Sequence, residues 1–324
     1  MSRLLLSTIV VCAFSFAVKS QAAYELTAND VTLENGVITA TTLTDISGRH
    51  HQPNIVIPDK LGGQVVKEIG NAVFRGLGLT AVKFPAELSV IGDFAFQNNR
   101  IINAELPDEL TLIGEGAFEF NRITQVDLPS ELTSISKSAF ATNSIMQVTW
   151  PAGLTSVESS AFRDNSLITV DLPPGVAHIG DFAFQNNRIV SLTLPKGLTT
   201  IEESVFNVNF LTSVDLPDGL ITIEESAFRD NRLTHVDLPA GLKAIGHKAF
   251  LANRLTDVTL PAGLRFIGED TFKINSDLVS FVLPKETDNA HNMKWQASDG
   301  TMAEAGETVL MVDFANSYRA ITLN

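Results

Sequence analysis

Polar and apolar residues follow a pattern along this chain that repeats every 22 residues. Each unit closes with a segment such as L-T-H-V-D-L at 233–238, in which polar residues alternate with inward-pointing Val and Leu. This alternation predicts a half-buried β-strand. Proline follows each segment, where the chain leaves the sheet and needs no backbone donor. The regularly spaced prolines are Pro85, Pro107, Pro129, Pro151, Pro173, Pro195, Pro217, Pro239 and Pro261.

One such strand per unit predicts a solenoid with a parallel sheet whose strands lie about 4.8 Å apart. The A-F-x-x-N segment in the middle of the unit is too short for an independent helix. The predicted fold class is a repeat solenoid of 22-residue units. It has a parallel β-sheet on one face, short helical or 3₁₀ turns elsewhere, and β caps at both ends.

The 11-residue stretch IGDFAFQNNRI occurs twice, at Ile91–Ile101 and Ile179–Ile189. The copies are 88 residues apart, which is four units of 22. The repeat therefore explains the duplication, and no second active site is needed.

Besides the proline, two positions of the unit never change, and both are interpreted as structural. The twelfth is expected to fill the core, and it is always Phe: Phe96, Phe118, Phe140, Phe162, Phe184, Phe206, Phe228, Phe250 and Phe272. An amide at the fifteenth can pair with backbone groups at a tight turn or with its neighbours in the stack. That position is always Asn: Asn99, Asn121, Asn143, Asn165, Asn187, Asn209, Asn231, Asn253 and Asn275.

The consensus L-P-x-x-L-T-x-I-x-x-x-A-F-x-x-N-x-L-T-x-V resembles the BspA-like leucine-rich repeat, a bacterial surface-antigen type. The resemblance covers Pro58–Leu283. It implies a secreted or surface protein that takes part in adhesion or partner binding, and it brings no catalytic residue. The family commonly has Cys or Asn at the turn, whereas this chain uses only Asn.

Both ends depart from the repeat. Residues 1–22 combine a basic start, an apolar stretch and a small-x-small pattern, which predicts a signal peptide. We expect an N-terminal β cap at 23–57 with a hairpin at Asn35-Gly36, and the solenoid of about ten repeats at 58–283. Residues 284–324 are expected to form a C-terminal β cap with strands at Thr308–Val312 and Tyr318–Leu323.

The charge narrows the classes of partner. The formal net charge is −14, which disfavours nucleic acid and anionic lipid. The N-terminal apolar run is too short for a membrane anchor, and no membrane span is expected. Cys12, the only cysteine, lies in the predicted signal, so the exported chain would hold no disulfide.

Solvent-facing strand positions are the candidate binding surface. They form a polar, largely acidic strip, to which Phe120 and Phe210 add possible aromatic anchors at turn positions that are polar in most units. The strip residues chosen as candidate ligand contacts are Glu105, Asp127, Asp171, Asp215, His235, Asp237 and Asp257. A merely solvated strand surface is the simpler interpretation of the same residues.

The repeat supplies like groups in columns, whereas an enzyme needs unlike groups that converge. We expect no catalytic activity, no cofactor and no metal site, and the adjacent His50 and His51 are a weak candidate for a metal. The leading hypothesis is a secreted or cell-surface binding or adhesion protein whose partner is a protein or a glycan. A structural envelope protein without a ligand, a polysaccharide-binding protein and a periplasmic location stay open, as does the oligomeric state.

Overall fold

The structure is a computed structural model that describes residues 23–44, 53–278, 280–283, 293–297, 302–304, 306, 308–310 and 318–322. The predicted signal peptide and the pair His50 and His51 lie outside these residues.

All regular elements in the described part are β-strands. In chain order they are β1 (Tyr24–Glu25), β2 (Val31–Glu34), β3 (Val37–Thr41), β4 (Asn54–Val56), β5 (Lys60–Leu61), β6 (Gln64–Val65), β7 (Glu68–Ile69), β8 (Ala81–Lys83), β9 (Val90–Ile91), β10 (Asn103–Glu105), β11 (Leu112–Ile113), β12 (Gln125–Asp127), β13 (Ser134–Ile135), β14 (Gln147–Thr149), β15 (Ser156–Val157), β16 (Thr169–Asp171), β17 (His178–Ile179), β18 (Ser191–Thr193), β19 (Thr200–Ile201), β20 (Thr222–Ile223), β21 (Ala244–Ile245), β22 (Phe266–Ile267), β23 (Ser280–Val282), β24 (Met293–Ala297), β25 (Met302–Glu304), β26 (Thr308–Leu310) and β27 (Tyr318–Thr322).

The closing segments form the predicted parallel pairs, in the order β1-β4-β8-β10, β12-β14 and β16-β18. The register is one whole unit per strand, as in the pairing of Gln125 with Gln147. Residues 213–215, 235–237 and 257–259 hold the same place in later coils but form no strand. This sheet is thus less continuous than the pattern predicted. There the coils stay joined by flanking bonds such as Thr234 N–H to the Thr212 carbonyl at 3.3 Å.

A second set of parallel strands, which the sequence did not reveal, forms at the seventh position of the unit. It runs β7-β9-β11, then β13-β15-β17, then β19-β20-β21-β22. Each strand has two residues, and only the second, an Ile or Val, is buried. Two residues show no alternation, so hydropathy alone predicts no strand here.

The expected helical or 3₁₀ turns do not form. Phe94 and Asn98 have φ of 56° and 59°, which a 3₁₀ helix cannot include. The tenth and fourteenth positions of the later described coils repeat these left-handed values. The backbone instead bonds to the next coil, since Phe94, Phe96 and Asn98 donate to the carbonyls of Glu115, Ala117 and Glu119 at 2.8–2.9 Å.

The Phe column fills the core. From Phe74 to Phe272 the rings are fully buried. Successive rings lie 5.3–5.9 Å apart between centroids and within 16° of parallel. This is the offset stacking that aromatic quadrupoles prefer. The core is therefore one unbroken row, and a substitution within it affects the coils on both sides.

The Asn column links each coil to the one before it. Asn165 Oδ1 accepts a hydrogen bond from the Ile145 N–H at 2.9 Å. Its Nδ2 donates to the carbonyls of Phe140 and Phe162 at 2.9 and 3.2 Å. The same three bonds recur from Asn99 to Asn253. The amides thus pair with backbone, one of the two options the sequence allowed, and not with one another.

Antiparallel strands cover the ends of the sheets. The expected hairpin pairs β2 with β3 across Asn35-Gly36, and β3 continues in parallel to β7. At the other end β27 pairs with β22 and β26 with β23, both antiparallel. Covered edges protect a sheet from pairing with other chains.

Replacing Val208 by Gly should stabilise the fold by about 1 kcal/mol in urea unfolding. A β-branched residue with φ of 57° is strained, since the left-handed region costs an L-residue about 1–2 kcal/mol. The control is Val190→Gly, because Val190 is similarly exposed but is not among the residues with positive φ. It should lose about 0.5–1 kcal/mol. Equal losses in both variants would contradict the assignment of strain.

Candidate functional site

The candidate site is an exposed band that we call the strand face. Positions in each coil are counted from its proline, and the band comprises positions 16, 18, 19 and 21 of the eight coils between Pro85 and Leu260. Position 17 and, in most coils, position 20 are buried between them. One hollow of about 580 Å³ borders Asn103, Glu105, Thr124, Gln125 and Asp127, which shows that positions 18, 19 and 21 adjoin.

Position 21 carries the predicted acidic residues, and threonines of the next coil bind two of them. Thr149 Oγ1 donates to Asp127 Oδ1 at 2.6 Å, and Thr193 Oγ1 donates to Asp171 Oδ1 at 2.8 Å. The alternation of Asp and Thr therefore supplies each of these carboxylates with a hydroxyl donor. The sequence analysis did not assign this role to the threonines.

His235 joins two of the predicted acidic residues. Its Nε2 lies 2.9 Å from Asp237 Oδ1, and its Nδ1 lies 3.3 Å from Asp257 Oδ1. The hydrogen bond to Asp237, followed by the negative charges of Asp237 and Asp257, raises the pKa of His235 above its ordinary value. A hollow of about 340 Å³ adjoins His235 and Asp237. Asp215, in the preceding coil, is exposed and lies outside this group.

The arginines at position 16 form no ion pair with Asp164 or Asp230, the acidic residues that lie near the turn of two coils. Asp164 pairs with Arg163 and Asp230 with Arg229, at 3.3 and 3.0 Å. Each of these carboxylates thus pairs with the arginine that directly precedes it in the sequence. Within the described part of the chain, the side chains of Arg100, Arg122 and Arg188 make no ion pair or hydrogen bond. They remain free to meet an external group.

Position 18 is apolar in the N-terminal coils, which the sequence analysis did not notice. Ile102, Met146, Ile168 and Val190 are each about half exposed. Their backbones are connected through Thr124 by coil-to-coil hydrogen bonds, so the side chains form one stripe. In later coils the position is Thr212, Thr234 and Thr256. The 22-residue spacing of these residues was the available signal.

The two predicted aromatic anchors are exposed but do not meet. Phe120 lies at position 14 with φ of 56° and borders a hollow of about 280 Å³ with Arg75, Gln97 and Asn98. Phe210 lies at position 16 of a coil four units on, and the Arg232 guanidinium stacks on its ring at 4.3 Å. Only Phe210 belongs to the strand face.

A second acidic group, absent from the predicted site, lies beside the second sheet. Burial first, and then the charge of Asp181, raises the pKa of Glu202 and of Glu203. No group of three His, Cys, Asp or Glu in the described residues is placed to hold a metal ion. Those residues also contain no helix that is long and apolar enough to cross a membrane.

The model of the family described as BspA type leucine-rich repeat region matches residues 51–169, 136–256 and 177–299, with six copies of the repeat region. Together these ranges span 51–299, more than half of the chain. The chain belongs to the BspA-type leucine-rich repeat family. The expected resemblance is thereby confirmed, and so is the solenoid of 22-residue units.

Three solved structures are similar to this chain, and the first of them shares its fold. The pneumococcal vaccine antigen PcpA is 20% identical with a TM-score of 0.50, over 81% of this chain and 72% of that one. A leucine-rich cell surface protein from Faecalibacterium prausnitzii is 21% identical with a TM-score of 0.47, over 77% and 84% of the chains. A leucine-rich repeat protein from Bacteroides ovatus is 20% identical with a TM-score of 0.45, over 83% and 89%. No curated protein matches the chain in sequence.

The pKa of His235, followed by NMR titration, should lie above the ordinary value of about 6.5. Asp237→Asn should lower this pKa, because the carboxylate that contributes most to the shift loses its negative charge. A raised pKa in the folded state stabilises the fold below pH about 6.5, and this contribution disappears as pH rises through the raised pKa. The control is Asp215→Asn, which removes a carboxylate that does not touch the ring. If the pKa of His235 is the same in the parent protein and in the Asp237→Asn variant, the assignment of Asp237 as the main cause is contradicted.

Proposed function

We propose that the protein is a secreted or cell-surface, non-catalytic binding protein that recognises another protein through the strand face. The rigid Phe and Asn columns hold the exposed side chains at fixed spacing, so the surface needs little ordering when a partner binds. Export is supported by the signal-like sequence of residues 1–22.

The observation that carries the proposal is that one margin of the strand face, position 16 with the neighbouring apolar stripe, holds unpaired guanidinium groups and exposed apolar side chains. Among the residues that the structure describes, the side chains of Arg100, Arg122 and Arg188 make no ion pair or hydrogen bond, and a half-exposed apolar stripe lies beside them. Apolar area next to unpaired guanidinium groups is typical of protein interfaces, in which Arg is enriched. A solvated surface with no ligand would have no need of the stripe.

One observation favours glycan binding as a second candidate function. The exposed ring of Phe120 borders a hollow that is otherwise lined by Arg75, Gln97 and Asn98. A flat ring beside amide and guanidinium groups suits the apolar face and the hydroxyls of a sugar. Phe120→Ala should abolish glycan capture while leaving protein capture through the strand face unchanged.

Cross-linking capture from host or environmental surface extracts tests the main proposal. The bait protein should retain a partner that the triple variant Asp171→Lys, Asp215→Lys, Asp237→Lys loses, since three charges on the strand face are reversed. The matched control, Glu109→Lys, Glu131→Lys, Asp218→Lys, changes the net charge equally on exposed turn residues. Circular dichroism checks that each variant folds.

Equal capture by both triple variants and the parent would contradict the strand face as the binding site. No specific capture by the parent would favour a structural envelope protein without a ligand.

A further inference from the structure

The strand face is nearly neutral although the chain is strongly acidic. Its eight coils carry five arginines at position 16 and six carboxylates at positions 19 and 21, against a formal net charge of −14 for the whole chain. The arginines at position 16 and five of the six carboxylates, at position 21, occupy opposite margins of the band, whereas Asp257 lies at position 19. The arginines are Arg100, Arg122, Arg188, Arg232 and Arg254, and the carboxylates are Glu105, Asp127, Asp171, Asp215, Asp237 and Asp257.

A band with one sign at each margin is complementary to itself in one orientation. A second copy can face it after a half-turn about an axis parallel to the solenoid, above the bend between positions 18 and 19. This half-turn exchanges the margins, so position 16 of each copy lies over position 21 of the other. Position 18 of each copy then lies over position 19 of the other, so the two apolar stripes lie next to each other on either side of the axis.

The sequence of the two margins agrees coil by coil with this arrangement. It brings Arg100 over Glu105, Arg122 over Asp127 and Arg232 over Asp237 of the second copy. Arg188 and Arg254 meet Thr193 and Thr259 instead. Asp171 meets Ser166, and Asp215 meets Phe210. No coil brings like charges together.

The opposite orientation lacks this agreement. A half-turn about an axis perpendicular to the solenoid leaves each margin on its own side. When the eight coils are centred, Arg122 then lies over Arg232 and Asp127 over Asp237 of the second copy. Juxtaposed like charges disfavour an association, so the charges select the parallel arrangement.

We propose that the partner of the strand face is a second copy of this chain, in a parallel two-fold dimer. The inference rests on the proposed function, because it names the partner of the same face. Eight coils about 4.8 Å apart and a width of five extended residues give roughly 600 Å² per copy, or about 1,200 Å² in total. This is the lower limit of specific interfaces and predicts a weak dimer.

Cysteine cross-linking tests the geometry. In a Cys12→Ser background, Ile102→Cys, Ile168→Cys and Val190→Cys each place a single thiol along the stripe. In the parallel dimer, each thiol lies near the same residue of the second copy. All three should form covalent dimers with a short thiol-specific bifunctional cross-linker, because two sheets that pack face to face lie about 10 Å apart. The matched control is Leu112→Cys, equally exposed but in β11 of the second sheet, and it should stay monomeric.

Sedimentation equilibrium tests the charges. Arg122→Glu sets two like-charge contacts in each dimer and should weaken dimerisation at least tenfold at about 0.15 M salt. Adding Asp127→Arg to this variant exchanges the charges of the two positions, so opposite charges face each other again and dimerisation should be restored. Two results would overturn the proposal. One is a protein that is entirely monomeric at about 100 µM, a concentration at which a weak dimer should be populated. The other is cross-linking of the stripe variants that is no faster than that of Leu112→Cys. Cross-linking at only one of the three stripe positions would overturn the parallel orientation.

A negative result here is distinct from failure of the proposed function. If the protein is monomeric but the capture experiment still separates the two triple variants, the strand face binds a different protein.

Discussion

The structure depends on the pairing of one Asn side chain per coil with the backbone of two coils. The Asn165 side chain accepts a hydrogen bond from the Ile145 N–H and donates to the carbonyls of Phe140 and Phe162. These backbone groups turn inward at the tight corner, where water cannot reach them. Because an amide both accepts and donates, no other side chain of this size satisfies all three. The corner in turn sets the position of the Phe rings that fill the core.

From this constraint follows the division between fixed interior and variable surface. The corner repeats every 22 residues, so each surface position becomes a column parallel to the solenoid axis. Columns of unlike character then lie side by side: arginines, an apolar stripe and carboxylates. A linear arrangement suits recognition of an extended surface. Such columns place like groups in rows, whereas catalysis requires unlike groups that converge at one point.

Much of the fold could be predicted because the prolines, Phe96 and Asn99 recur in register. The turn conformation could not, since the left-handed φ of Phe94 and Asn98 is imposed by bonds to the next coil and not by local propensity. The second sheet was missed because its strands have two residues each. In the candidate site, the acidic column was visible from sequence. The apolar stripe was not recognised, and the unpaired state of the arginine side chains could not be predicted, because it depends on which side chains find partners after folding.

The central claim is that the Asn column holds the coils together. The most direct test is the urea unfolding free energy of Asn165→Ala beside that of Asn103→Ala. Asn165→Ala leaves one N–H and two carbonyls without partners and should lose about 3–6 kcal/mol, at 1–3 kcal/mol for each buried group. Asn103 is exposed and bonds only to Glu105, so its replacement should change stability by about 0.5 kcal/mol or less. Similar small losses in both variants would contradict the claim.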